Sequence, residues 1–137
     1  LHEELIGATR AGGKTGEAAH AVAKILHPHF VKEEELAMPP LGLLVALADN
    51  RVTPQMAPIV DLTNKLKSEL PAMLKEHEAI GAALDALKEA AQRENKLQAR
   101  HFAEKLKRHA KMEEEVLYPA AVLIGEYIKL KLNHHGE

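Results

Sequence analysis

His29-Phe30-Val31-Lys32-Glu33-Glu34-Glu35, with Pro39 following, returns eighty positions later as His109-Ala110-Lys111-Met112-Glu113-Glu114-Glu115, with Pro119 following. Both copies read H-x3-E-E-E-x3-P without a gap. Residues four apart on an α-helix lie about one turn apart on nearly the same face. Each copy therefore points one imidazole and one carboxylate in the same direction. At three- and four-residue steps the first copy reads Val22, Leu26, His29, Glu33, Leu36, and the second Phe102, Leu106, His109, Glu113, Val116. Both stripes are apolar except at the His and the Glu, which sets those side chains in core-facing seams. Two imidazoles and two carboxylates in a bundle core are expensive unless a metal ion pairs them. A lone H-x3-E is common on solvent faces, but two in register inside apolar stripes point to metal ligation. Glu34, Glu35, Glu114 and Glu115 read as solvated acid clusters.

The rest of the repeat is shorter. His77 sits on the stripe Leu70, Leu74, His77, Ile80, Leu84, Leu87, and His2 fits an inward face with Leu5, Ile6 and Thr9. The chain then alternates a His-helix with a His-x3-Glu-helix, twice. It reads as one domain, 1–137, with an internal duplication of 1–50 and 54–132. His20, His27 and His101 fall off the ligand direction and read as surface or outlying residues. Met73 reads as core, since a thioether suits a hard cation poorly. Gly81 relieves crowding between helices, and Tyr118, well off the ligand direction, reads as a packing residue.

The local signals give helix A over about 1–10, ended by Gly12-Gly13, and helix B from a Thr15 cap to about Ala37. Pro39-Pro40 breaks or kinks helix B, and Leu41 to Ala48 resumes as a short helix. Thr53-Pro54 starts helix C, which runs towards Ala91 with Pro71 kinking or splitting it. Helix D spans Leu97 to Leu117, Pro119 ends or kinks it, and a last stretch reaches about Leu132. Connections this short favour antiparallel neighbours. His134-His135-Gly136-Glu137 reads as a frayed tail.

Composition narrows the function classes. The 137 residues include only two Phe, two Tyr and no Trp, with Ala, Leu, Val and Ile supplying the apolar content, which suits helices. A net charge of −2 gives no reason to expect nucleic acid. The run Lys105, Lys107, Arg108, Lys111 reads as a solvated helix face. The lack of cysteine excludes disulfides, thiolate metal sites and a cysteine nucleophile in this chain. It is compatible with a reducing cytoplasm, the expected location. No apolar run spans a membrane and no signal peptide is legible, while Leu1 in first place leaves what precedes it unread.

The blocks HFVKEEELAMP and HAKMEEEVLYP, with the earlier histidines in LHEEL and KEHEAI, resemble the hemerythrin-like, or HHE cation-binding, family along essentially the whole chain. The resemblance implies an all-α fold: an up-down-up-down antiparallel four-helix bundle. A Pro-kinked extension would follow helix B and a C-terminal helical extension helix D. It implies two non-haem irons, with zinc or manganese as substitutes. By position, His2 and His29 would hold one iron and His77 and His109 the other, with Glu33 and Glu113 and an oxo or hydroxo group bridging them. Ferritin-like di-iron proteins are the nearest alternative, but they need E-x-x-H on two helices, and only Glu17-Ala18-Ala19-His20 fits.

The chain departs from the oxygen-carrying members, whose third helix resembles H-x3-H. Met73 and Gly81 stand four residues from His77, and Glu113 replaces an aspartate found five residues after the histidine in the carriers. Two octahedral ions offer about twelve positions. The six side chains and a bridging group leave one open on each, which weakens the reversible-carrier reading. The expected function is therefore binding of oxygen, nitric oxide or peroxide as sensor, scavenger or iron- and oxygen-handling module, with no nucleic acid or membrane as partner. An enzyme acting on peroxide or nitric oxide, or in iron-centre repair, is the first alternative, and an iron- or oxygen-responsive regulatory domain the second. With no second catalytic constellation apparent, binding ranks above catalysis.

Overall fold

A computed structural model describes the backbone of residues 2–135 and the side chains of residues 2–133. The expected disorder of the tail falls on Gly136, Glu137 and the side chains of His134 and His135, all outside that range. The described residues form helices joined by short turns, with no strand, consistent with a helical bundle. None of their helices is long and apolar enough to cross a membrane.

In chain order the helices are α1 (His2–Thr9), α2 (Gly13–Lys32), α3 (Met38–Leu41), α4 (Leu44–Ala48), α5 (Ala57–Arg93), α6 (Leu97–Met112) and α7 (Tyr118–His135). Two five-residue π-helical segments, Glu33–Ala37 and Glu113–Leu117, join α2 to α3 and α6 to α7. A proline stands two residues beyond each. Pro39 lacks an N–H and its ring clashes with the carbonyl four residues back, which strains a regular α-helix, although Pro28 and Pro71 are accommodated inside α2 and α5. Here the helix widens by one residue, and the Met38 N–H reaches back five residues to the Glu33 carbonyl. Of the expected break or kink after helix B and end or kink of helix D, the break and the end do not occur, and π turns carry the chain on as helix. Nor does Pro71 split α5, which is continuous over 37 residues.

The chain divides into two compact units, Leu1–His29 with Met73–Met112 and Phe30–Ala72 with Glu113–Glu137. Each unit draws on both halves of the repeat.

In the first unit α1 packs on α6, and Lys105 Nζ lies 2.8 Å from Glu4 Oε1. Ala19, Val22 and Leu26 of α2, Met73, Leu84 and Leu87 of α5, and Phe102 and Leu106 of α6 are buried. The inward face of α5 passes through Met73 rather than Leu74, which is exposed. On α1 the buried residue is Ala8, while His2 and Ile6 are exposed, so the expected inward face through His2 and Ile6 is corrected.

Gly12 and Gly13 turn the chain at positive φ, 76° and 58°. The start of α2 is not capped by Thr15 as expected. Glu94 does so from the turn after α5: it accepts hydrogen bonds from the backbone N–H groups of Lys14 and Thr15, at 3.1 and 2.8 Å, and from the Thr15 hydroxyl, at 2.6 Å. The Thr15 hydroxyl foremost, then these N–H groups, hold the Glu94 carboxyl below its ordinary value of 4.5. Ionised Glu94 thus favours the folded chain fully above that value, and the contribution is lost as pH falls through the lower folded value. Glu94→Gln is expected to lower the melting temperature near neutral pH and to flatten its decline in acid. Thermal melts of both proteins between pH 3 and 7 check this, and parallel curves would refute it.

In the second unit α3 packs on α7, and Leu66 of α5 is buried along with Ala121, Ile124 and Ile128 of α7. A Cβ at Gly125 would fall inside the side chain of Thr63, so α5 and α7 approach at a point where only glycine fits. Helix α4 is apolar but has no buried residue.

Candidate metal centre

The two His-x3-Glu phrases end at the π turns. In the first phrase Val22, Leu26, His29, Glu33 and Leu36 are all buried, as the stripe requires. In the second, Phe102, Leu106 and Glu113 are buried and His109 is half-buried, but Val116 is 55% exposed. The inward place there belongs to Tyr118, five residues after Glu113, whereas across the first π segment Leu36 keeps it and Met38 is exposed. Glu34, Glu35, Glu114 and Glu115 are exposed.

His29, Glu33, His77 and Glu113 are brought together. All four are buried, and each offers one ligand atom within 4.8 Å of the other three. His29 and His77 present their Nε2 atoms to each other at 2.9 Å, with ring centroids 4.6 Å apart and planes tilted by 56°. As a direct hydrogen bond this needs one imidazole as donor and one as acceptor. It is also the separation, roughly 3 Å, of two imidazoles on neighbouring corners of one cation with metal–nitrogen bonds near 2.0–2.1 Å. The donor set of two imidazoles and two carboxylates, withdrawn from water, therefore fits a divalent metal.

Around this set are partners of the kind that orient metal ligands. The Tyr118 hydroxyl donates to Glu33 Oε1 at 2.6 Å. Glu76 Oε1 lies 3.7 Å from His29 Nδ1, an ion-pair distance when the ring is charged. Neither residue is among the expected site residues. Tyr118 falls off the α-helical count from Glu113, and Pro119 behind it is no signal, since Pro39 likewise follows the exposed Met38. Glu76 adjoins His77 in sequence, and nothing local shows that it serves His29.

His109, one turn before Glu113, is outside the four-residue set, and so is His2, exposed on α1. His20, His27 and His101 are exposed. Met73 is fully buried, and a Cβ at Gly81 would meet nothing within 4 Å. A surface groove of about 760 Å³ runs past Glu3, Glu4, Leu97 and His101, and none of the four clustered residues lines it.

Compared with models of protein families, residues 2–121 match the hemerythrin HHE cation binding domain. The chain belongs to the hemerythrin HHE family. No curated protein and no solved structure matches it. The HHE match spans all four clustered residues as well as His2, His109 and Tyr118. In this HHE domain the buried His/Glu cluster is the place where a metal ion can bind.

Proposed function

We propose that this chain is a non-haem di-iron protein that binds oxygen, nitric oxide or peroxide as a sensor, scavenger or iron- and oxygen-handling module, on an up-down-up-down bundle. The observation that carries the reading is the buried set His29, Glu33, His77 and Glu113. Burying two carboxylates beside two imidazoles is unfavourable unless a cation offsets their charge and takes up their lone pairs. Mixed imidazole and carboxylate donors suit iron, and also zinc or manganese.

These four residues would hold one cation, since His29 and His77 face each other, in place of the pairing of His2 with His29 and His77 with His109 that the resemblance implies. A second would share Glu33 and Glu113 and be completed by His109 and His2, with an oxo or hydroxo bridge. When bound, the iron pair supplies open coordination positions and electrons to a small ligand. The protein's own part is to keep the two imidazole nitrogens aligned, to balance the metal charge with carboxylates, and to keep water away. Leu26, Met73, Ile80 and Leu106, each one turn from a ligand on its own helix and each buried, serve the last purpose.

Anaerobic loading with ferrous iron is expected to approach two irons per chain by elemental analysis, with a visible spectrum that changes on air exposure. Saturation at one iron would remove the bridged pair from this reading. No bound iron would overturn it.

A further inference from the structure

The two halves of the repeat are alike in their His-x3-Glu phrases and π turns but differ at the next residue. Tyr118 is the first residue after the second π segment, and Met38 is the first after the first segment. Tyr118 is buried and donates to Glu33 Oε1, whereas Met38 is 54% exposed. A thioether has no proton to donate, so the corresponding position supplies no such bond to a carboxylate.

Packing alone does not call for this hydroxyl, because phenylalanine has nearly the same shape. A buried phenol is a liability unless its O–H finds a partner. Here the partner is a buried carboxylate, and a hydroxyl donating to an ionised carboxylate at this length makes a strong, charge-assisted bond. The bond ties down one oxygen of this carboxylate before any cation arrives. Outer partners of this kind typically account for 10- to 100-fold in metal affinity.

We propose that Tyr118 is a positioning residue of the metal centre: by holding Oε1 of Glu33 it fixes how that carboxylate meets the cation, and Met38 provides no matching contact in the other half. The two halves of the duplicated motif are thereby unequal at this position. Glu33 is set in advance of metal binding. The inference rests on the metal-binding reading above.

With no Trp and with Tyr127 the only other Tyr, tyrosine emission in a Tyr127→Phe background reports on Tyr118 alone. Zinc is a suitable probe because it is colourless and diamagnetic, so an emission change reflects the phenol's surroundings. Metal-free protein would be titrated with Zn²⁺ and followed by emission and by calorimetry. The Tyr127→Phe protein is expected to change emission as zinc binds, with wild-type affinity. Tyr118→Phe is expected to bind zinc roughly 10- to 100-fold more weakly, while its metal-free form keeps the wild-type far-ultraviolet dichroism. Met38→Ala is expected to leave the affinity unchanged. Tyr118→Phe binding zinc as tightly as wild type would overturn the proposal, as would zinc binding to Tyr127→Phe without any change in Tyr118 emission. The second result needs no substitution at Tyr118 and so stands even if that variant folds poorly. Failure of the wild-type chain to bind zinc, iron or manganese at all would instead remove the metal-binding reading, and the proposal with it.

Discussion

Replacing His77 with alanine is expected to lower metal affinity by more than about 100-fold, beyond the range typical of losing an outer partner. His77 supplies one of the two nitrogens that face each other at 2.9 Å, and it enters from the middle of α5, where Met73 and Ile80 bury it on either side. Without it the cation keeps one imidazole of the clustered set, and His29 loses the neighbour that aligns its ring. Exposed His20 and His101 provide the controls, since alanine at either is expected to leave affinity unchanged. Competition against a chelator of known strength measures the effect. A loss below tenfold for His77→Ala would show that the cation does not sit against the His29–His77 pair.

Removing the metal is expected to lower stability on a similarly large scale. A ligand that binds only the folded chain stabilises it by about 4 kcal/mol at a free concentration a thousand times its dissociation constant. The metal-free chain must keep Glu33 and Glu113 inside without a cation, which adds to the difference. Protons compete with metal for the imidazoles and carboxylates, so the stabilisation is present near neutral pH and falls away in acid as metal is released. Glu113→Ala is expected to abolish the metal-dependent rise in melting temperature, whereas Glu114→Ala, at an exposed position in the same run of glutamates, preserves it. Calorimetric melts with and without chelator test both statements. Equal melting temperatures for the loaded and stripped wild-type protein would contradict the first, and equal behaviour of the two variants would contradict the second.

These residues show how far the sequence could be read. Helical period and apolar stripes were enough to place His29, Glu33, His77 and Glu113 on inward faces, because the steps that lead up to them run through regular α-helix. The count failed across only one of the two π turns. Val116 counts as inward by α-helical steps from Glu113, yet Tyr118 takes its place, while Leu36 after Glu33 is buried as counted. The prolines after both turns were legible, but a proline can break, kink or widen a helix, and only the surrounding packing selects the last. Leu74 and Met73 are equally apolar neighbours, and a hydrophobicity pattern does not separate them. Helix α1 has eight residues, too few to define a face, and its inward side runs through Ala8 rather than His2. The cap of α2 was out of reach for a different reason: Glu94 lies 79 residues from Thr15, and no local signal joins them.

The contact at Gly125 bears on the height at which Tyr118 is held. Because a Cβ there would enter the side chain of Thr63, α7 can seat against α5 only with glycine at that level. Sliding α7 by one turn, about 5.4 Å, would bring Ala121 or Lys129 to the same place. Either would collide, so the pair behaves as a notch and a stop rather than as two smooth rods free to shear. Tyr118 is seven residues before Gly125 on the same rigid helix, about 10 Å along its axis. Its level is therefore set by a steric stop two turns away, and the hydrogen bond to Glu33 has only to choose a direction, not to hold a position.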